Sequence, residues 1–236
     1  YKHSFYYGHI FVDVSFFIVF VRCVYQGGFK IVEILALFHK GGLVMYPILL
    51  ASIIAVTIGV NRYLCYKAAS SNIDLLKEQL PNLLRTRQLE EAKALCDEAG
   101  GVAGNIVKTA IVERTEDLKA ADVVESIATH EVFQLKKYLN YLETIVTLSP
   151  LLGLLGTVVG MIGSFSVLSI ESGEPFAITG GVGEALIATA TGLLVAILAL
   201  VIHTYLAQRV NVLIADIEYV ASLYVINTNA GVRHEA

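Results

Sequence analysis

Residues 149–165 read SPLLGLLGTVVGMIGSF, an uncharged apolar stretch that carries four glycines, a proline and a threonine. Glycine and proline are poor residues for a helix interior, the first on entropic grounds and the second because it removes a backbone donor. Their placement gives the reason. At about 100° per residue, Gly153, Gly156, Gly160 and Gly163 fall within one sector of a helix, joined there by Ser149, Thr157 and Ser164. Lipid supplies little hydrophobic force between helices, so membrane helices associate through small residues that let backbones approach, as in Gly156-x-x-x-Gly160. A second stretch repeats the device: Ala185, Ala188, Thr189, Gly192, Ala196 and Ala199 also line up. The pair predicts two membrane helices that pack closely.

The whole chain agrees. Of its 236 residues 56% are hydrophobic and 16% charged, and its mean hydropathy is positive, which is not the balance of a soluble domain. A bilayer core takes about 20 mostly apolar residues. Gly41 to Val60 is one such run, closed by Asn61 and Arg62 and flanked by Tyr46, Tyr63 and Tyr66 as interfacial side chains. Thr144 to Ile170 has no charged residue, and Ala185 to Leu206 has His203 as its one basic side chain. The expected fold is an all-α membrane protein with three transmembrane helices and a large helical cytoplasmic segment between the first and second. Helices extend from the membrane into the cytoplasm.

The expected organisation is an N-terminal outer-side segment over 1–40, spans at 41–64, 141–170 and 181–207, a cytoplasmic helical region over 65–140, an outer loop at 171–180 and a cytoplasmic helix and tail over 208–236. Within the large segment, LRTRQLEEAKALCDEAGG has helical patterning, with Gly100 and Gly101 as a C-terminal stop. Arg62 to Lys137 holds eleven of the seventeen Lys and Arg residues, whereas the short loop ESGEPFAITGG holds none and carries Glu171 and Glu174. The positive-inside rule therefore places the large segment in the cytoplasm, the N-terminus outside and the C-terminus inside. Residues 1–28 contain an apolar run broken by Asp13 and Arg22; they read as an outward-side amphipathic helix, with a weak extra span, a signal-like segment or an upstream extension as alternatives.

Other function classes find no support. A net charge of −4 without a basic stripe argues against nucleic acid. Cys23, Cys65 and Cys96 are odd in number and far apart, which suits neither a disulfide framework nor a zinc site. No metal or other cofactor is expected. There is no H-E-x-x-H, G-x-S-x-G or P-loop, so the chain does not read as an enzyme.

The polar groups inside the spans carry the functional reading. Thr157 lies midway along span two, and Thr189 some eight residues inside span three, both on or beside the small faces. The bland alternative for either is a hydroxyl bonded to its own i−4 carbonyl. Glu184 stands at the outer end of span three, as an entrance charge or as a complement to the helix dipole. His203, near the cytoplasmic end, reads as a satisfied interface residue rather than a proton relay. Pro150 removes a hydrogen bond from what reads as one long helix rising out of the cytoplasmic segment, and marks a bend or hinge.

Taken together, SPLLGLLGTVVGMIGSF and GGVGEALIATATGLLVAILALVIHTYL (180–206) resemble the paired signature of the MotA/TolQ/ExbB proton-channel family, with the three-span TolQ and ExbB branch the nearest. The matching elements are Ser149-Pro150, Gly-Leu-Leu-Gly-Thr at 153–157, Gly160, and Glu-Ala-Leu-Ile-Ala-Thr-Ala at 184–190 with Gly192. KGGLVMYPILLASIIAVTIGVNR (40–62) resembles the family's first span. Leu198 stands where ExbB-like members often carry a proline, and residues 1–28 have no counterpart.

The resemblance implies a homopentamer in the bacterial inner membrane. Spans two and three would line a pore around a dimer of a single-span ExbD, TolR or MotB-like partner that brings an aspartate, and proton flow would perform mechanical work on the envelope. A charge argument agrees. The middles of spans two and three hold hydroxyls but no carboxylate or lysine, and a hydroxyl cannot carry a proton through a charged state, so another chain must supply the titratable group. Thr157 and Thr189 would be its hydrogen-bonding neighbours and Glu184 would tune the outer entrance, with protons favoured over sodium. The competing class is a non-conducting membrane scaffold that uses the same small-residue packing with replaceable threonines.

Overall fold

The computed structural model describes Phe38 and residues 40–113, 120–170 and 175–233. The outer-side segment expected over the first residues falls mostly on 1–37, and Glu171 and Glu174 on 171–174, outside the described residues. The described residues form seven α-helices: α1 Met45–Ala69, α2 Ile73–Arg85, α3 Leu89–Ala99, α4 Gly101–Val112, α5 Ala120–Lys136, α6 Leu139–Ile170 and α7 Pro175–Arg233. Three helical stretches, Met45–Arg85, Ala120–Ser166 and Thr179–Thr228, each contain a window long and apolar enough to cross a membrane. The fold class is the one expected. At 1.5 Å per residue the 32 residues of α6 and the 59 of α7 run for about 48 and about 88 Å, well beyond a hydrocarbon core of about 30 Å.

The chain divides into two compact units, Tyr1–Gly59 with Tyr141–Tyr205, and Val60–Asn140 with Leu206–Ala236. In the first, α1 buries Ile48, Ala51 and Ala55 at helical spacing while Leu49, Leu50, Ile53 and Ile54 stay exposed. On α6 the buried row is Ile145, Ser149, Gly153, Gly156, Gly160 and Ser164. On α7 it is Ala185, Ala188, Gly192, Ala196 and Ala199. Of the small residues singled out in the sequence, Gly163 is exposed and Thr157 and Thr189 are half-buried. The faces opposite these rows expose Leu151, Leu154, Leu155, Ile162, Leu186 and Leu194, a surface too extensive and apolar for water and suited to lipid or to other copies.

The second unit is a helical assembly of α2 to α5 with the ends of α1 and α7. Leu76, Leu80 and Leu84 form the buried stripe of α2, whose N-terminus is capped by the Asn72 side chain accepting from the Leu75 amide at 3.4 Å. The LRTRQ stretch does not continue as one helix: Thr86 ends α2 and Arg87 turns the chain at φ 58° before α3 begins. Gly100 stops α3 as expected, at φ 62°, and α4 restarts at once. Gly101, at φ 65°, admits no side chain because a methyl group there would stand 2.6 Å from the Ser70 carbonyl. That close approach lets Ser71 Oγ accept from the Ala103 amide at 3.1 Å and cap α4 from outside the helix.

Along α7, Leu206, Val210, Leu213, Ile217, Val220 and Tyr224 are buried at alternating spacings of three and four. The Tyr224 hydroxyl donates to the Ala110 carbonyl near the end of α4 at 3.3 Å, and Arg85 Nε donates to Asn227 Oδ1 at 2.8 Å.

Pro150, read from the sequence as a bend or hinge within one long helix, does not interrupt that helix. Pro150 lies inside a continuous α6, with Ser149 donating to the Ile145 carbonyl at 2.7 Å just before it. The break comes at Lys137–Tyr138, where Tyr138 adopts φ 71°. It is held from α1: Arg62 Nη1 donates to the Gln134 carbonyl at 3.2 Å, and the Tyr66 hydroxyl to the Leu135 carbonyl at 2.8 Å. Both acceptors belong to the last turn of α5, whose carbonyls have no partner within the helix. The Arg62 guanidinium also lies 4.6 Å from the centre of the Tyr138 ring.

Candidate functional site

The contact between α6 and α7 is built on absent side chains. A methyl group on Gly156 would come within 2.5 Å of the Ala188 methyl, and one on Gly160 within 2.9 Å of the Gly181 carbonyl. One on Gly192 would lie 2.7 Å from the Ser149 carbonyl and 2.9 Å from the Gly153 Cα. The pairing of 149 and 153 with 192, 156 with 188, and 160 with 181 and 185 runs in opposite directions along the chain, so the helices are antiparallel. Ala185 thus lies over Gly160, Ala188 over Gly156, and Gly192 against Ser149 and Gly153. Gly163 is exposed, with nothing within 4 Å of a methyl group built on it.

This closeness lets a threonine of α7 reach a carbonyl of α6. Thr189 Oγ1 donates to the Gly153 carbonyl at 3.0 Å, across the helix pair. In the α-helical ladder that same carbonyl belongs to the amide of Thr157, four residues on. The Thr157 hydroxyl itself donates to the Leu154 carbonyl at 2.7 Å, so its alternative reading, a bond back to its own helix, is met through i−3. Thr189 instead bonds between helices. Both residues are half-buried.

Glu184 stands apart from this couple. It is five residues before Thr189, about 7.5 Å along the axis and about 140° around it, and its carboxylate lies over Gly42 in the turn that leads into α1. Helix α7 begins at Pro175, nine residues earlier, beyond the first turn in which a dipole complement acts. The N-terminus that Glu184 meets is that of α1. The diglycine Gly41-Gly42 is the residue pair that sequence reasoning did not connect with Glu184; two glycines just before an apolar run were the available signal. His203 is half-buried and follows Ile202, which fills the space over Gly59.

The family model of the MotA/TolQ/ExbB proton channel family matches residues 93–219, more than half of the chain. The chain belongs to the MotA/TolQ/ExbB proton channel family. Among curated proteins none matches it. The matched range contains Pro150, the small-residue faces, Thr157, Glu184, Thr189 and His203, and leaves out α1 with Gly42 and Arg62. Family and spans together make this a multi-pass membrane protein with a proton-channel role.

Proposed function

We propose that the chain is the pore-forming subunit of a TolQ/ExbB-like motor driven by the proton motive force. Five copies form a ring in the inner membrane, with the N-terminus outside and the C-terminus cytoplasmic. The ring encloses the single spans of a dimeric ExbD/TolR/MotB-like partner. The observation that carries this reading is the Thr189–Gly153 couple at the centre of two helices without a membrane carboxylate, in a member of a proton channel family. Hydroxyls and a carbonyl can orient a carboxylate and its water, and the partner's aspartate supplies the group that titrates. Each proton crossing releases about 2.3 kcal/mol per 100 mV, which moves the partner relative to the ring and does work on the envelope. Glu184 acts at the outer entrance, by raising the local proton concentration rather than by carrying the proton.

A scaffold without conduction is the second reading, favoured by the Thr157 hydroxyl being bonded to its own helix. Assembly is tested by purifying the tagged chain from its native membranes and weighing the intact complex by native mass spectrometry. A ring of five with two copies of a single-span protein carrying a membrane aspartate is expected. A monomer at micromolar concentration contradicts the motor.

A further inference from the structure

We propose that Gly42 is a positioning residue for Glu184: its missing side chain is the seat in which the Glu184 carboxylate rests at the outer end of α7. The inference deepens the proton-path reading and rests on it for its functional consequence, though not for its geometry.

Two separate demands fall on Gly42. Its φ of 71° lies in the left-handed region that L side chains rarely adopt. The turn is fixed there because the Gly42 carbonyl accepts from the Met45 amide at 3.2 Å as α1 begins. Independently, a methyl group built on Gly42 would overlap Oε1 of Glu184, and would stand 2.6 Å from its Cδ and 3.2 Å from its Cγ. A turn that needed glycine only for its backbone would leave that space open, as it is open over Gly100, also at positive φ. Gly41 is buried, first under the Met45 side chain of α1, and a methyl group there would also stand 3.2 Å from Cγ2 of Ile187, one helical turn after Glu184. The turn before α1 thus follows the surface of α7 from 184 to 187. Glu184 is partly exposed, so its carboxylate lies over Gly42 and still reaches the surface. Displacing it by one methyl group acts at the pore entrance without touching the Thr189–Gly153 couple.

The test is a cycle of Gly42→Ala and Glu184→Ala in the complex purified with its partner and reconstituted in liposomes, reading proton uptake with an entrapped pH dye under an applied potential. Gly42→Ala is expected to lower the initial rate about threefold when Glu184 is present and by a clearly smaller factor in the Glu184→Ala background, where the backbone strain remains but the collision has gone. Equal fractional losses in both backgrounds would assign Gly42 to backbone strain and overturn the proposal.

A second measurement needs neither flux nor the alanine variant. In the full chain with Cys23, Cys65 and Cys96 changed to serine, Gly42→Cys with Glu184→Cys should form an intrachain disulfide on oxidation with copper phenanthroline, since the 3.2 Å between a Cβ at 42 and Cγ at 184 suits a bridged pair. Failure to cross-link overturns the seat. A wild-type complex that passes no protons removes the proton-path reading instead, and the cross-link then decides the geometry.

Discussion

The Thr189 hydroxyl reaches the Gly153 carbonyl across the α6–α7 contact at 3.0 Å, a bond made possible because both Gly153 and Gly192 lack the side chain that would hold the helices apart. Interhelical hydrogen bonds of this kind contribute about 0.6 kcal/mol on average and up to about 1.7. Thr189→Val, which keeps the volume and removes the hydroxyl, is expected to lower stability by that amount, and Thr189→Ser to retain most of it. Equilibrium unfolding of the purified protein in mixed micelles reads the difference.

The glycines divide into two classes. Gly156→Leu, Gly160→Leu and Gly192→Ala each drive atoms into the facing helix, where the nearest neighbours for Gly160 and Gly192 are backbone carbonyls that cannot move aside. All three should lose assembled protein on size-exclusion chromatography. Gly163→Ala meets nothing within 4 Å and should leave the chain as stable or raise stability by about 0.5–1 kcal/mol through helix propensity.

Arg62 is 9% exposed, and with Tyr66 it holds the end of α5. Tyr66→Phe should cost about 1 kcal/mol as one hydrogen bond is lost, and Arg62→Ala about 1–3 kcal/mol because a charged donor and its ring contact go together. Hydrogen exchange should rise at the amides around Tyr138 in both variants and remain unchanged at the α6–α7 contact.

Cys96 is 1% exposed, and burial, with a smaller push from Asp97, raises its thiol to about 11 against partial relief from Lys108. Only about 1% is thiolate at pH 9, so maleimide should label Cys96 after denaturation and not before, in a chain with Cys23 and Cys65 changed to serine. A folded-state value above the unfolded 9.0 stabilises the protein fully below pH 9. That contribution should fade as pH rises from about 9 to about 11, and Cys96→Ala should remove this dependence.

What was legible in the sequence follows from what sequence patterns encode. Apolar runs with a threefold to fourfold spacing of small residues place the spans and the contact face, because the helical period is fixed. Gly163 shares that period and yet has nothing within 4 Å of a methyl group built on it, because it lies at the edge of the small-residue sector, whereas Ser164, one residue on, meets Gly181. Pro150 stays within the continuous α6. Its missing donor costs one hydrogen bond, which α6 absorbs, whereas Tyr138 breaks the helix through a left-handed backbone held by Arg62 and Tyr66 from a distant segment. The seat of Glu184 on Gly42 joins residues 142 positions apart, which no local period relates.

The Thr189 and Thr157 hydroxyls are proposed to serve a proton path, and that role has a direct test. It is tested most directly by proton uptake into liposomes holding the complex with its partner, under an applied potential, for wild type, Thr189→Ser, Thr189→Val and Thr157→Val at equal ring content. Wild-type flux close to that of Thr189→Ser is expected, with Thr189→Val lower by at least tenfold and Thr157→Val reduced. Equal flux in wild type and Thr189→Val, or none in any of the four, would contradict it and leave the scaffold standing.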